Sequence, residues 1–265
     1  MVPVSSIVLM VIDAVFGFAV PVALAWWLVK KYKLKLSTIL IGAATFIVFA
    51  LILEPILHRI VLLGPKGQTI QNNTLYYALY GGLAAGLFEE TGRFLSMKFL
   101  MKKEPSTFKP AIAYGAGHGG AEMLILLGVS MIGTIVMALM INSGGAEALA
   151  AQAPAEAQEQ MQAQLTQIQT ASSATYLLGL WERFSALILQ ISLSVLVWAA
   201  VRKGGKWLLL FPAAILIHAL VDGVAVMLQE SMSLGWLELI ILAMALGIAA
   251  IAFLVARTMD KEESA

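Results

Sequence analysis

The sequence contains no cysteine, few charged residues and only 3 histidines in 265 residues. The absence of cysteine excludes thiol catalysis, thiolate metal ligands and disulfide bonds. Charged residues make up 12% of the chain and hydrophobic residues 60%, with a mean hydropathy of +0.87. A soluble domain carries about twice that share of charge. The composition therefore excludes a soluble globular protein and leaves histidine, aspartate and glutamate for any polar chemistry.

Long apolar runs dominate the sequence. A membrane-spanning helix needs roughly 20 mostly apolar residues, and seven segments have that length: 4–29, 36–63, 75–101, 110–141, 176–201, 207–228 and 234–256. We therefore predict an all-α, polytopic transmembrane bundle with about seven spans, forming a single membrane domain over residues 1–265. The first basic residue is Lys30, so the first run lacks the basic start of a signal peptide and is expected to be retained.

The stretch 142–175 breaks this pattern because it is rich in alanine and glutamine. Its glutamine and glutamate content forbids a membrane span, whereas alanine, glutamine and methionine favour helix. We predict an extracytosolic loop or an interfacial helix here, and the alternative is a low-complexity linker.

The basic residues are concentrated in alternate loops. Of the 17 basic residues, 13 lie in or beside four connections. These connections are the one after the first span, the one between the third and fourth, the one between the fifth and sixth, and the one after the seventh. The opposite loops hold only Lys66. By the positive-inside rule, the N-terminus lies outside and the C-terminus in the cytosol. We expect a multi-pass protein of the bacterial cytoplasmic membrane.

Three polar clusters lie inside predicted spans. They are Glu89-Glu90-Thr91-Gly92-Arg93, Tyr114 to His118 with Glu122, and His218 to Asp222. Ionisable groups in hydrocarbon are costly and mark functional sites by default. With the orientation given above, all three clusters lie roughly 12 to 22 Å from the cytosolic surface at the rise of an α-helix. We therefore predict that they meet in one buried site.

Within each cluster, two ionisable residues lie four positions apart and share one helix face. These pairs are Glu89 with Arg93, His118 with Glu122, and His218 with Asp222. Glycines at 115, 117, 119 and 120 surround His118. They permit a neighbouring helix to approach closely or leave room for a substrate. They also favour a kink or a break in the long fourth segment.

These residue types allow two kinds of chemistry. A carboxylate beside a histidine can activate water as a general base, and a second histidine with an aspartate can stabilise an oxyanion. Alternatively, a divalent metal, zinc or another, binds to ligands drawn from His118, His218, Glu90, Glu122 and Asp222. The local signature H-E-x-x-H is absent, so a metal site would have to be assembled across helices.

Further ionisable residues lie within spans but nearer the outer half of the membrane: Asp13, Glu54, His58, Arg59, Glu182 and Arg183. Charges inside a membrane usually pair with one another. We therefore predict interhelical ion pairs for this set in preference to a catalytic role. In a transporter, the same residues would form half of a proton path.

The three clusters resemble the motifs of the CAAX-protease and bacteriocin-processing superfamily of intramembrane peptidases. The matching residues, in order and on separate spans, are Glu89-Glu90 with Arg93, Tyr114 with His118, and His218 with Asp222. The form Gly-His-Gly-Gly-x-Glu at 117–122 is closer to the YhfC branch. The chain departs from the superfamily in the spacing of Arg93, which follows the second glutamate by three residues instead of four, and in ending the last motif with Asp222 where asparagine is more usual.

The resemblance implies a hydrolase that cleaves a membrane or membrane-associated peptide within the lipid bilayer. Glu89 or Glu90, together with His118, would activate the water, and His218 with Asp222 would support the transition state. Whether a metal takes part is open. The alternatives are a proton- or ion-coupled transporter that uses the same buried groups and a non-catalytic membrane scaffold or immunity protein. No nucleic-acid partner is expected.

Overall fold

The structure, a computed structural model, describes residues 1–152 and 154–263. This part of the chain is helical and contains no β-strand, which confirms the all-α prediction. The α-helices are α1 (Val4–Tyr32), α2 (Leu36–Val48), α3 (Glu54–Leu62), α4 (Gly67–Gln71), α5 (Thr74–Phe99), α6 (Lys109–Met123), α7 (Ser130–Asn142), α8 (Ala146–Gln152), α9 (Ala155–Thr170), α10 (Ser173–Lys203), α11 (Leu210–Leu228) and α12 (Leu234–Glu263). Two π-helical turns, π1 (Phe49–Leu53) and π2 (Leu124–Val129), join α2 to α3 and α6 to α7.

Six stretches of the described chain are long and apolar enough to cross a membrane: Val4–Tyr32, Leu36–Leu62, Lys109–Asn142, Ser173–Lys203, Gly205–Leu228 and Leu234–Asp260. They coincide with six of the predicted spans, so the protein is a multi-pass integral membrane protein. The remaining predicted span is α5, whose 26 residues are long enough to cross but include Glu89, Glu90 and Arg93. Its crossing, and the orientation of the N-terminus, stay predictions.

The helices form two compact units. Unit 1 comprises residues 1–20 and 123–183. In it, α9 packs on α7, and Leu165 and Ile168 join Met10 and Ala138 in an apolar core. The Ala/Gln-rich stretch is therefore largely helical and contributes buried side chains to this unit.

Unit 2 comprises residues 21–122 and 184 to the end of the described chain. Residues 192–200 of α10 are buried without interruption, as expected of a helix that is apolar on every side. In this unit α5 packs closely on α11 and also contacts α2, α3 and α4. Because α5 has neighbours on several sides, it can hold charged residues away from lipid.

Glycines on α5 explain its close packing on α11. Gly82 and Gly86 form a G-x-x-x-G pattern, which allows two helix backbones to touch. A Cβ added at Gly82 would overlap the carbonyl oxygen of Ala219, and one at Gly86 would overlap that of Ile215. Since the glutamate pair follows one turn later on α5, this contact brings it next to His218 on α11.

Glycines on α6 have the same effect around His118. A Cβ at Gly117 would overlap the carbonyl oxygen of Ile39 on α2, and a Cβ at Gly115 would lie 2.6 Å from the Cα of Ile191 on α10. Close helix approach is therefore the role that the structure gives these glycines. The helix α6 runs unbroken past these glycines, from Lys109 to Met123. The irregular turn is π2, which begins at the next residue.

The basic connections of unit 2 lie at one end of it. Lys35, before α2, pairs with Glu104, in the α5–α6 connection, at 2.9 Å. Arg202, at the end of α10, donates to the carbonyl oxygen of the same Glu104 at 2.9 Å. Lys203 reaches the carbonyl of Thr258 near the end of α12 at 3.5 Å. The loops that the positive-inside rule assigns to one side of the membrane are thus neighbours in the fold.

Candidate active site

Glu89 on α5 and His118 on α6 form a buried pair. The His118 Nε2 lies 2.8 Å from the Glu89 Oε2. An ionised carboxylate only accepts, so Nε2 donates the hydrogen of this contact, and in a neutral imidazole Nδ1 is then the lone-pair nitrogen. That Nδ1 is buried and has no hydrogen-bond partner among the described residues.

The neighbouring Glu90 belongs to a different set of contacts. Its Oε1 accepts from the Nδ1 of His218 at 2.9 Å, and its Oε2 lies 3.1 Å from the Nε of Arg93. Glu90 and Arg93 have no exposed side-chain surface. The other nitrogen of His218 lies 3.6 Å from the Oδ2 of Asp222. The adjacent residues Glu89 and Glu90 therefore bond to two different histidines, His118 and His218.

Gln190 on α10 joins these two sets, and sequence reasoning missed it. Its amide nitrogen donates to Glu89 and to Glu122, at 2.9 Å each. Its amide oxygen accepts from Arg93. Arg93 also donates to the backbone oxygen of Gln190 at 2.6 Å and to Ser194 at 2.7 Å. A glutamine in the middle of a predicted span was the available signal, since polar side chains inside the membrane bind across helices.

Aromatic side chains pack against the His118 ring in the interior of the unit. The Tyr114 ring is stacked on the imidazole with centroids 6.1 Å apart, and the Phe46 ring meets it edge-on at 5.3 Å. The Tyr114 hydroxyl pairs with the hydroxyl of Ser96 at 2.9 Å. Tyr114 is fully buried, so its ring packs against His118 inside the unit.

All the residues predicted for the site fall in this one network: Glu89, Glu90, Arg93, His118, Glu122, His218 and Asp222. Two pairings differ from the spacing argument. Arg93 pairs with Glu90, three residues away, and not with Glu89. His118 bonds to Glu89 across helices, while Glu122 bonds to Gln190. A contact between helices has therefore replaced the His118–Glu122 pair that the spacing suggested, whereas Arg93 and His218 keep partners on their own helices.

Exposure divides the network into an inner and an outer part. Glu90, Arg93 and His118 are completely buried. The side chain of Glu89 is 9% exposed and that of Asp222 is 39% exposed. A substrate or a water molecule would therefore approach from the side of Glu89 and Asp222.

The second polar set is only partly paired. Glu54 contacts His58 at 3.2 Å, and His58 contacts the Tyr80 hydroxyl at 2.8 Å. Glu182 pairs with its neighbour Arg183. The carboxylate oxygens of Asp13 have no hydrogen-bond partner among the described residues, although the residue is buried.

The donor types of the network suit a divalent metal, but the side chains are engaged with one another. Imidazole nitrogens and carboxylate oxygens are the usual ligands of catalytic zinc. The Nδ1 of His118 has no hydrogen-bond partner among the described residues, so its lone pair is available to a metal ion. Within the described chain, no group of three His, Asp or Glu side chains is placed to hold a metal ion. The ligand atoms present therefore suit a divalent metal, which would bind only if these side chains gave up contacts that they make with one another.

These features define a polytopic membrane protein with a buried carboxylate–imidazole site between its helices. The sequence profile described as "YhfC intramembrane metalloprotease" matches residues 16–246. The chain is also 38% identical over 231 residues to the "Uncharacterized membrane protein YhfC" of Bacillus subtilis (strain 168), a match that covers 87% of this chain and 88% of the relative. The chain belongs to the YhfC intramembrane metalloprotease family. No solved structure matches it.

Proposed function

We propose that the protein is an intramembrane peptidase in which Glu89 is the general base. The observation that carries this is the use of one oxygen of Glu89 by both His118 and Gln190. The other oxygen, Oε1, accepts no hydrogen bond from a described residue, and the side chain of Glu89 is 9% exposed. A carboxylate held in this way can take a proton from water as the water attacks a peptide carbonyl. The name of the family supports hydrolysis of a peptide bond.

Glu90 has a positioning role in this proposal. One of its oxygens, Oε1, accepts a hydrogen bond from His218, and the other, Oε2, forms an ion pair with Arg93. Glu90 therefore fixes the hydrogen of His218 on Nδ1 and turns Nε2 toward Asp222 and the accessible side. From there a protonated His218 would stabilise the oxyanion of the tetrahedral intermediate.

A divalent metal has a place in the same site. His118 and His218, with a carboxylate from Glu122 or Asp222, would hold it. When bound, such an ion lowers the pKa of water and polarises a carbonyl group. Glu89 would be the base with or without it, whereas His218 could act as a protonated oxyanion stabiliser only when it does not bind the ion.

An apolar cavity supports a membrane peptide as the substrate. It has a volume of about 560 Å³ and lies between α2 and α5, with Leu40, Ala44 and Phe99 in its wall. Ser96, the hydrogen-bond partner of Tyr114, also lines it. The cavity therefore lies beside the Ser96–Tyr114 pair, and an apolar peptide segment fits its lining. Placement of the chain in the wider CAAX-protease superfamily is part of the same proposal.

One observation favours the second candidate, a proton-coupled carrier. Tyr80, His58 and Glu54 form a continuous chain of polar contacts. Glu54 is also close enough to Glu89 and His218 to interact with them electrostatically. Such a chain is what a proton path across the membrane would use.

The test is to reconstitute the protein in liposomes with a set of single-span peptides and to measure cleavage products and proton flux together. If the protein is a peptidase, cleavage is lost in His118→Ala. Cleavage is kept in Glu182→Gln, which changes an ionisable residue outside the network. A carrier shows flux that Glu54→Gln abolishes, with no cleavage. Absence of both activities from the folded wild-type protein would favour a scaffold and contradict the proposal.

A further inference from the structure

Asp13 on α1 is a buried carboxylate that the proposed peptidase does not use. It is 1% exposed, and neither of its oxygens accepts a hydrogen bond from a described residue. Glu54 and Glu182, by contrast, have His58 and Arg183 as partners. An unpaired carboxylate inside a membrane protein is costly, so it persists where a function requires it.

The unpaired carboxylate lies in the wall of a cavity of about 290 Å³ in unit 1. Thr134 and Tyr176 supply hydroxyl groups to the same wall, and Gln164 and Gln167 supply amides. Tyr176 is close enough to Asp13 for an electrostatic interaction. The two glutamines are exposed, so the cavity opens on their side. Its polar wall thus offers oxygen acceptors around a single negative charge, which favours a singly charged cation.

The size and the remaining lining of the cavity favour an organic cation over a bare metal ion. A water molecule needs only about 10 to 15 Å³ of such volume, so the space is many times larger than one small ion requires. Met131 and Ile168 give the cavity apolar wall as well. Apolar wall contributes nothing to an alkali ion, but it stabilises an alkyl chain.

We propose that this cavity binds a primary alkylammonium group, with the ammonium hydrogens donated to Asp13 and the alkyl chain against Met131 and Ile168. An ammonium group has three hydrogens to donate and no acceptor, which matches a carboxylate with two free oxygens. A lysine side chain of a peptide and the headgroup of an aminophospholipid both present this chemistry. The site is separate from the Glu89–His118 network and does not depend on the peptidase proposal.

The probe is n-hexylammonium chloride, titrated into the full-length protein in detergent at constant ionic strength, with 1-hexanol as the uncharged ligand of matched chain length. We expect hexylammonium to bind at least about tenfold more tightly than hexanol, because only the ammonium forms charge-assisted hydrogen bonds. Asp13→Asn should lose this preference, whereas Glu54→Gln, a matched change at a paired carboxylate, should keep it.

Competition then distinguishes the two natural sources of the ammonium group. Displacement of hexylammonium by phosphatidylethanolamine in mixed micelles identifies a lipid, and displacement by a lysine-containing apolar peptide identifies a peptide. Either result supports the site. Equal binding of hexylammonium and hexanol to the wild-type protein would overturn the proposal without the need for any variant. Binding of hexylammonium to Asp13→Asn as tightly as to the wild type would also overturn it. So would stabilisation of the protein by sodium ions in the absence of hexylammonium.

Discussion

The different contacts of the adjacent glutamates predict that the same substitution lowers the stability of the protein far more at Glu90 than at Glu89. In Glu90→Gln, the buried Arg93 loses the carboxylate 3.1 Å from its Nε. Removing one member of a buried ion pair costs about 3 to 5 kcal/mol. Arg93 keeps its hydrogen bonds to Gln190 and Ser194, so we expect the lower end, about 3 kcal/mol of unfolding free energy.

In Glu89→Gln, the new amide oxygen can still accept from His118, and no buried cation is left unpaired. The loss of charge assistance should cost only about 1 kcal/mol. Reversible unfolding in mixed detergent micelles, followed by circular dichroism, measures both values. A second change, Arg93→Met, should recover part of the loss in Glu90→Gln, because it removes the unpaired charge. Equal stabilities for the two glutamine variants, or no recovery, would refute this assignment of roles.

Two further predictions concern packing and orientation. Gly117→Ala should lower the unfolding free energy by about 1 to 3 kcal/mol, since its Cβ would overlap the carbonyl oxygen of Ile39. The control is Gly133→Ala, whose Cβ would have no atom within 4 Å. It should be neutral or slightly stabilising in the same unfolding assay. Because the chain has no cysteine, Lys66→Cys should react with an impermeant maleimide on intact cells and Lys103→Cys only after permeabilisation; the reverse pattern would contradict the predicted orientation.

The sequence predicted the helices well because their signal is local. An apolar run either reaches the length of a span or does not, and six predicted spans lie within a few residues of the observed helices. Polar residues inside such runs also indicated side chains that meet in one buried network, since each is costly in hydrocarbon; their roles stay predictions.

The partners within the site could not be predicted in the same way. Spacing suggested Glu89 for Arg93, but Glu89 bonds to His118 and Gln190 on other helices, and Arg93 pairs with Glu90. Those interhelical contacts depend on tertiary packing, which spacing along one helix does not describe. Gln190 escaped attention because it is uncharged, although it contacts both Glu89 and Glu122.

The most direct test of the central claim is the cleavage rate of a membrane peptide by Glu89→Gln, beside the wild type and Glu182→Gln. Loss of a general base lowers a rate by about 10²- to 10⁴-fold. The account predicts a loss of that size for Glu89→Gln, with the fold intact and with wild-type cleavage by Glu182→Gln. Cleavage by Glu89→Gln at the wild-type rate would contradict the assignment of Glu89 as the base.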